Sequence, residues 1–147
     1  MDLLTPVGRL LYSLVFISGG IFHVVHHRAM TEAADSAGMP LAGFMVYLSG
    51  AMIFFGGLSI LLGYYARIGA LLVTVFVLTA AFTIHRFWLI ADPQMAAIQT
   101  GLFMRNLALG GGGFLLMSFG SGPYSLRDWK PERTRAGPTL ITAPGAT

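Results

Sequence analysis

Four apolar stretches, each about long enough to cross a bilayer, fill most of this 147-residue chain. They run from Val7 to His26, Leu41 to Leu62, Ile68 to Trp88 and Gly101 to Phe119. A hydrocarbon core about 30 Å thick takes roughly 20 apolar residues in a helix rising 1.5 Å per residue. The pattern predicts an all-α integral membrane protein embedded in the lipid bilayer. It forms a four-helix antiparallel bundle over residues 1–130, with a tail over 131–147. Only 10% of the residues are charged, against about 25% in an ordinary soluble domain. Mean hydropathy is +0.72. Helices of a soluble bundle keep a polar face, and these segments are apolar nearly all round. With no cysteine, disulfides and cysteine-ligated iron–sulfur clusters are excluded.

The formal charge of +3 is too small and too dispersed for a nucleic-acid surface, so no nucleic-acid partner is expected. It reads instead as topology, because Lys and Arg concentrate in cytoplasmic loops. One side carries Arg9, Arg67, Arg127, Lys130, Arg133 and Arg135, and the other Arg28, Arg86 and Arg105. Six against three places both termini in the cytoplasm. The first segment is expected to be retained as a helix: its apolar run is long for a signal peptide and no clear cleavage site follows.

A turn of about three residues around Tyr65 to Arg67 makes the second and third segments antiparallel neighbours. The longer first loop, Arg28 to Pro40, could form a short interfacial helix. Asp92-Pro93 breaks the third helix, since proline lacks an amide and disfavours helix before it. Met95 to Thr100 then lead into the fourth. The tail from Pro131 is rich in Pro, Gly, Thr and Ala without periodicity. It should not order through its own packing, and contact with another chain would hold it.

Glycines at 19, 20, 50, 56, 57 and 110 to 113 lie inside predicted membrane helices. Small residues let helix backbones approach in lipid. The Gly110 to Gly113 surface could alternatively make room for a flat ligand such as a quinone ring.

Ionisable residues in membrane helices point to function. His23 and His85 fall at similar depths along parallel helices, near the outer boundary, and His27 shares a face with His23 at i, i+4. Arg86 follows His85, and Arg105 and Asn106 enter that layer from the opposite direction. Three chemistries could use such a layer. A quinone could be hydrogen-bonded by histidine and Arg or Asn, with histidine carrying protons. A metal ion or haem could be ligated by His23, His27 and His85. Or the side chains simply meet headgroups and water at the helix ends. A resident metal ion is disfavoured, since no carboxylate or cysteine lies within the helices and the arginines repel a cation. No phosphate-binding loop, nucleophile elbow or paired-carboxylate site competes.

The ordered pieces Gly8-Arg9-Leu10-Leu11, Phe16-Ile17-Ser18-Gly19-Gly20, Gly56-Gly57 through Leu62-Gly63 with Arg67, His85-Arg86-Phe87-Trp88, Arg105-Asn106-Leu107-Ala108-Leu109-Gly110-Gly111 and Gly122-Pro123-Tyr124-Ser125-Leu126 resemble the DoxX family of small bacterial and archaeal membrane proteins. The likeness covers roughly Val7 to Lys130, and the last three pieces are the most specific. It implies a four-helix subunit of the cytoplasmic (inner) membrane. The family includes proteins similar to the large subunit of an archaeal thiosulfate:quinone oxidoreductase, and members linked to membrane redox complexes. Two departures stand out. Relatives often carry a Lys after the first-helix Ser-Gly, where this chain has Phe22-His23, and a Glu in the second helix, where it has Ile53. Losing that acid weighs against proton-coupled chemistry and toward an accessory role. The expected function is therefore a DoxX-like membrane subunit of a larger, redox-active complex, working beside other membrane subunits in a structural or quinone-associated role. The alternative is a self-contained quinone-reactive oxidoreductase using His23, His27, His85, Arg86, Arg105 and Asn106.

Overall fold

The computed structural model describes residues 3–126; the tail expected from Pro131 to Thr147 lies outside them. Its helices are α1 (Leu4–Val25), α2 (His27–Ser36), α3 (Ala42–Leu62), α4 (Ala66–Thr83) and α5 (Pro93–Phe119), with a single 3-10 turn at Phe87–Leu89. Four are long and apolar enough to cross a membrane: α1, α3, α4 with the following turn, and α5. The protein is an all-helical membrane bundle, as the apolar segments require.

The element boundaries differ from expectation in two places. The last helix begins eight residues early, at Pro93 rather than Gly101. Asp92 accepts a hydrogen bond from the Gln94 amide at 3.1 Å and Pro93 takes the first turn, the position where its missing N–H costs nothing. The pair that ends one helix thus also starts the next. Conversely, α4 stops at Thr83 rather than Trp88. Beyond it, His85 and Arg86 turn aside to bond Gln99 and the Ala37 carbonyl. The first loop does form a helix, α2, which packs Ala34 against Ala42 and Val46 of α3 with Met30 and Met39 around them.

The closest backbone approaches run α1 to α3, α3 to α4 and α4 to α5. Glycine makes them possible. A Cβ on Gly20 would sit 2.8 Å from the Gly50 carbonyl oxygen, and one on Gly69 would sit 2.6 Å from that of Gly56. Such backbone contact is how helices associate where lipid is as apolar as their side chains. Phe16, Ile53, Ile60, Ala70, Val73 and Val77 fill the centre. Between α1 and α5 the span is made by a side chain: the Tyr12 hydroxyl donates to the Leu109 carbonyl at 2.5 Å.

At one end, residues 120–126 lie across the helix termini. Arg9 of α1, only 4% exposed, donates to the Tyr124 carbonyl at 2.7 Å. The Leu126 amide donates to Leu62 at the end of α3, and Gly122 packs on Thr5. The start of α1 and the end of α5 therefore share one end of the bundle.

Candidate functional site

On α1 the buried residues are Arg9, Ser13, Phe16, Gly20 and His23, a strip with alternating spacings of four and three. In a soluble helix that heptad pattern is apolar on a polar background. Here three of its five positions are polar, because lipid takes the apolar faces and polar groups on a membrane helix turn into the bundle.

His23 closes the strip and is 8% exposed. Its Nδ1–H donates to the Gly19 carbonyl at 2.8 Å, so the neutral ring keeps its lone pair on Nε2. The ring meets Phe76 edge-on at 5.6 Å, and its Cβ rests against Gly50. Gly50 is the ninth of the 21 residues of α3. That puts His23 about 3 Å from the middle of a helix that matches the bilayer core in length. The expectation of a position near the outer boundary is therefore corrected. The Gly20–Gly50 crossing sets α1 lower along the bundle axis than α3, and α2 takes over at His27.

His85 is not at the same depth. It lies beyond Thr83, the last residue of α4, which is itself seven residues and about 10 Å past Phe76, and its Nδ1 bonds Gln99 Oε1 at 2.8 Å. His27 donates from Nε2 to the Gly43 carbonyl at 3.0 Å and stacks on Tyr47 at 3.9 Å, pinning α2 to α3. Arg86 donates to the Ala37 carbonyl at 3.2 Å, tying the end of α4 to the end of α2. Asn106 is buried inside the bundle, while its neighbour Arg105 faces outward. Among the described residues, no hydrogen bond or ring contact joins any two of these six. Nor, among those residues, does any group of three or more His, Asp or Glu come together as a metal site would need.

Two open clefts lie at opposite ends of the bundle. One, of about 460 Å³, is lined by Val25, His26, His27, Arg28, Ala29 and Tyr47. The other, of about 500 Å³, lies between the start of α4 and residues 119–122, with Arg67 in its wall. The Gly110–Gly113 surface is packing rather than a ligand shelf along most of its length. Gly110 meets Leu78, Gly112 the Tyr12 ring and Gly113 the Thr74 hydroxyl, and only Gly111 is open.

Sequence reasoning missed Tyr12, Thr74 and Gln99. Tyr12 and Thr74 lie among apolar neighbours, where periodicity carries no signal. Gln99 fell in a stretch read as a connection. Arg9 was read as a topology charge and as part of the first family piece, although its four- and three-residue spacing to Ser13 and Phe16 held the clue to its buried position.

The inner membrane protein YqjF of Escherichia coli (strain K12) is 32% identical over 120 residues, covering 82% of this chain and 86% of that protein. No solved structure matches. The DoxX family model matches residues 4–86, which takes in α1 to α4 and ends at His85-Arg86; the Arg105–Gly111 and Gly122–Leu126 pieces lie beyond it. With more than half the chain matched and a relative this similar along most of its length, the protein belongs to the DoxX family.

Proposed function

We propose that this protein is a structural subunit of a larger, redox-active complex in the cytoplasmic membrane, with both chain ends on the cytoplasmic side. The observation that carries the reading is how the polar side chains are used. His23, His27, His85 and Arg86 each bond a carbonyl or amide of the bundle, as groups that fix helices do. Glycine contacts bring the helix backbones together through the interior. The redox association comes from the family resemblance, and the membrane from the E. coli relative's name. The shared end of α1 and residues 120–126, together with the Lys/Arg bias, supports the orientation.

A second reading rests on the cleft beside His26, His27, Arg28 and Tyr47. A neutral His27 that donates from Nε2 keeps its Nδ1 lone pair there, and a quinone head could be held in this cleft by His26, His27, Arg28 and Tyr47; His23, His85, Arg86, Arg105 and Asn106 do not line it. Purification in mild detergent tests both. The subunit reading expects other membrane proteins in stoichiometric amount, and no quinol-dependent turnover by the isolated chain. Quinone retained by the isolated chain, and lost in His27→Ala, would favour the second.

A further inference from the structure

We propose that the cleft between the start of α4 and residues 119–122 holds one anionic phospholipid, its phosphate on Arg67 and its acyl chains along Ile68 and Phe119. Such a site is independent of the subunit and quinone readings above, and it holds for either orientation of the bundle.

The cleft lies at the depth of the headgroups. Phe119 is the last residue of α5 and Ile68 the third of α4, so the cleft, of about 500 Å³, sits where the apolar spans end. Tyr64 and Tyr65 stand beside it, both exposed and packed edge-on at 4.6 Å, as aromatic residues do at the membrane–water boundary. The lining joins two chemistries. Arg67 and Ser121 are polar, whereas Ile68 and Phe119 are apolar and 55% and 81% exposed. That is the composition an amphiphile requires.

The fold places the cation. Gly120 has φ +78°, a conformation that residues with a Cβ avoid. A Cβ there would sit 3.4 Å from Arg67 Nε and 3.7 Å from Nη2. The chain leaving α5 therefore passes directly against the guanidinium. Nη2 donates to the Ser118 carbonyl at 3.4 Å, which is long for such a bond. It is the only one the Arg67 side chain makes with the described residues. The other N–H groups of the planar fork are left for a partner, and a phosphate accepts two of them at once.

The occupant is chosen by charge and shape together. The described carboxylates, Glu32, Asp35 and Asp92, all belong to the opposite end of the bundle. Asp2, Asp128 and Glu132 adjoin this end in sequence, but Lys and Arg at 9, 67, 127, 130, 133 and 135 outnumber them six to three. An anionic headgroup gains from that surplus, while the amine of a zwitterionic one finds no described carboxylate to receive it. Free phosphate would use Arg67 and leave Ile68 and Phe119 without a role. A phospholipid uses both, as in other basic pockets beside membrane helices.

The test uses the full chain, stripped of lipid in detergent and followed by native mass spectrometry as phosphatidylglycerol or phosphatidylcholine is added. One phosphatidylglycerol should be held about tenfold more tightly than phosphatidylcholine, the worth of one hydrogen bond to a charged group. Arg67→Ala should lose that preference, and so should Arg67→Gln, which keeps most of the volume. Arg105→Ala removes the same charge from an exposed position 14 residues and about 21 Å from Phe119 along α5, and should keep it. Unfolding of the Arg67 variants by SDS in lipid-free micelles should match the native chain, which separates loss of the site from loss of the fold. Equal retention of the two lipids, or an equal loss in Arg105→Ala, would overturn the proposal. So would a preference that survives Arg67→Ala, the result expected if Asp2, Asp128 or Glu132 already held the guanidinium. Inorganic phosphate that protects the native chain from SDS as well as phosphatidylglycerol does would assign the cleft to a free anion, and the lipid would be wrong.

Discussion

Replacing Gly20 with alanine should loosen the α1–α3 crossing, and the size of the effect follows from the geometry. The new methyl would sit 2.6 Å from the Phe54 Cβ and 2.8 Å from the Gly50 carbonyl oxygen, about 1 Å inside the ~3.5 Å at which carbon contacts become favourable. Neither obstacle can rotate away, so the helices must part. Overpacking of this kind costs roughly 1–3 kcal/mol, and its upper half applies here. Alanine returns about 1 kcal/mol of helix propensity, leaving a net loss of ~1–2 kcal/mol. Gly111→Ala is the matched control. Its methyl meets nothing within 4 Å, so the isolated chain should gain the propensity term and lose nothing. Reversible unfolding by SDS in mixed micelles, followed by far-UV circular dichroism, should separate the two variants by ~2–3 kcal/mol. Gly50→Ala strikes the same crossing, so the double variant with Gly20→Ala should lose less than the sum of the two. Native-like stability of Gly20→Ala, or an equal loss in Gly111→Ala, would refute the claim that backbone contact at Gly20 holds these helices together.

Other expectations follow from single contacts. Tyr12→Phe removes the hydroxyl that joins α1 to the Leu109 carbonyl; a loss of ~0.6–1.7 kcal/mol and faster amide exchange around Leu109 are expected. His27→Ala breaks the bond to Gly43 and the stack on Tyr47, so limited proteolysis should cut within 27–41 while leaving the four membrane helices intact. Asp92→Ala removes the cap of α5 and should cost ~0.5–2 kcal/mol, read as a lower SDS midpoint. Reporter fusions after Lys130 and within Met30 to Met39 should fall on opposite sides of the membrane, the first in the cytoplasm; both on one side would reverse the orientation.

The membrane architecture was legible because it depends on bulk hydropathy, which averages over many residues and survives small errors of placement. Depth within the membrane was not. His23 is the twentieth residue of α1, and counting along the segment puts it at the outer end. The Gly20–Gly50 contact shifts the helix along its axis, and no feature of a single segment records that offset. Boundaries failed where one motif had two uses: Asp92-Pro93 stops a helix by one rule and starts one by another. The candidate layer was partly readable: Asn106 is the fourteenth of the 27 residues of α5, whereas His27, His85 and Arg86 share the end of the bundle away from residues 120–126. Their partners are carbonyls of Gly43 and Ala37 and the amide of Gln99, groups that composition cannot single out.

The bond from Arg9 to the Tyr124 carbonyl also sets a clock. The two residues are 115 positions apart. At about 5–20 residues per second of synthesis, Arg9 waits roughly 6–23 s for its partner to be made. Throughout that interval the first helix is already in the membrane with its guanidinium at the end where the nascent chain has yet to deliver residues 120–126. Insertion intermediates truncated before Gly120 should therefore hold α1 less firmly than the finished protein.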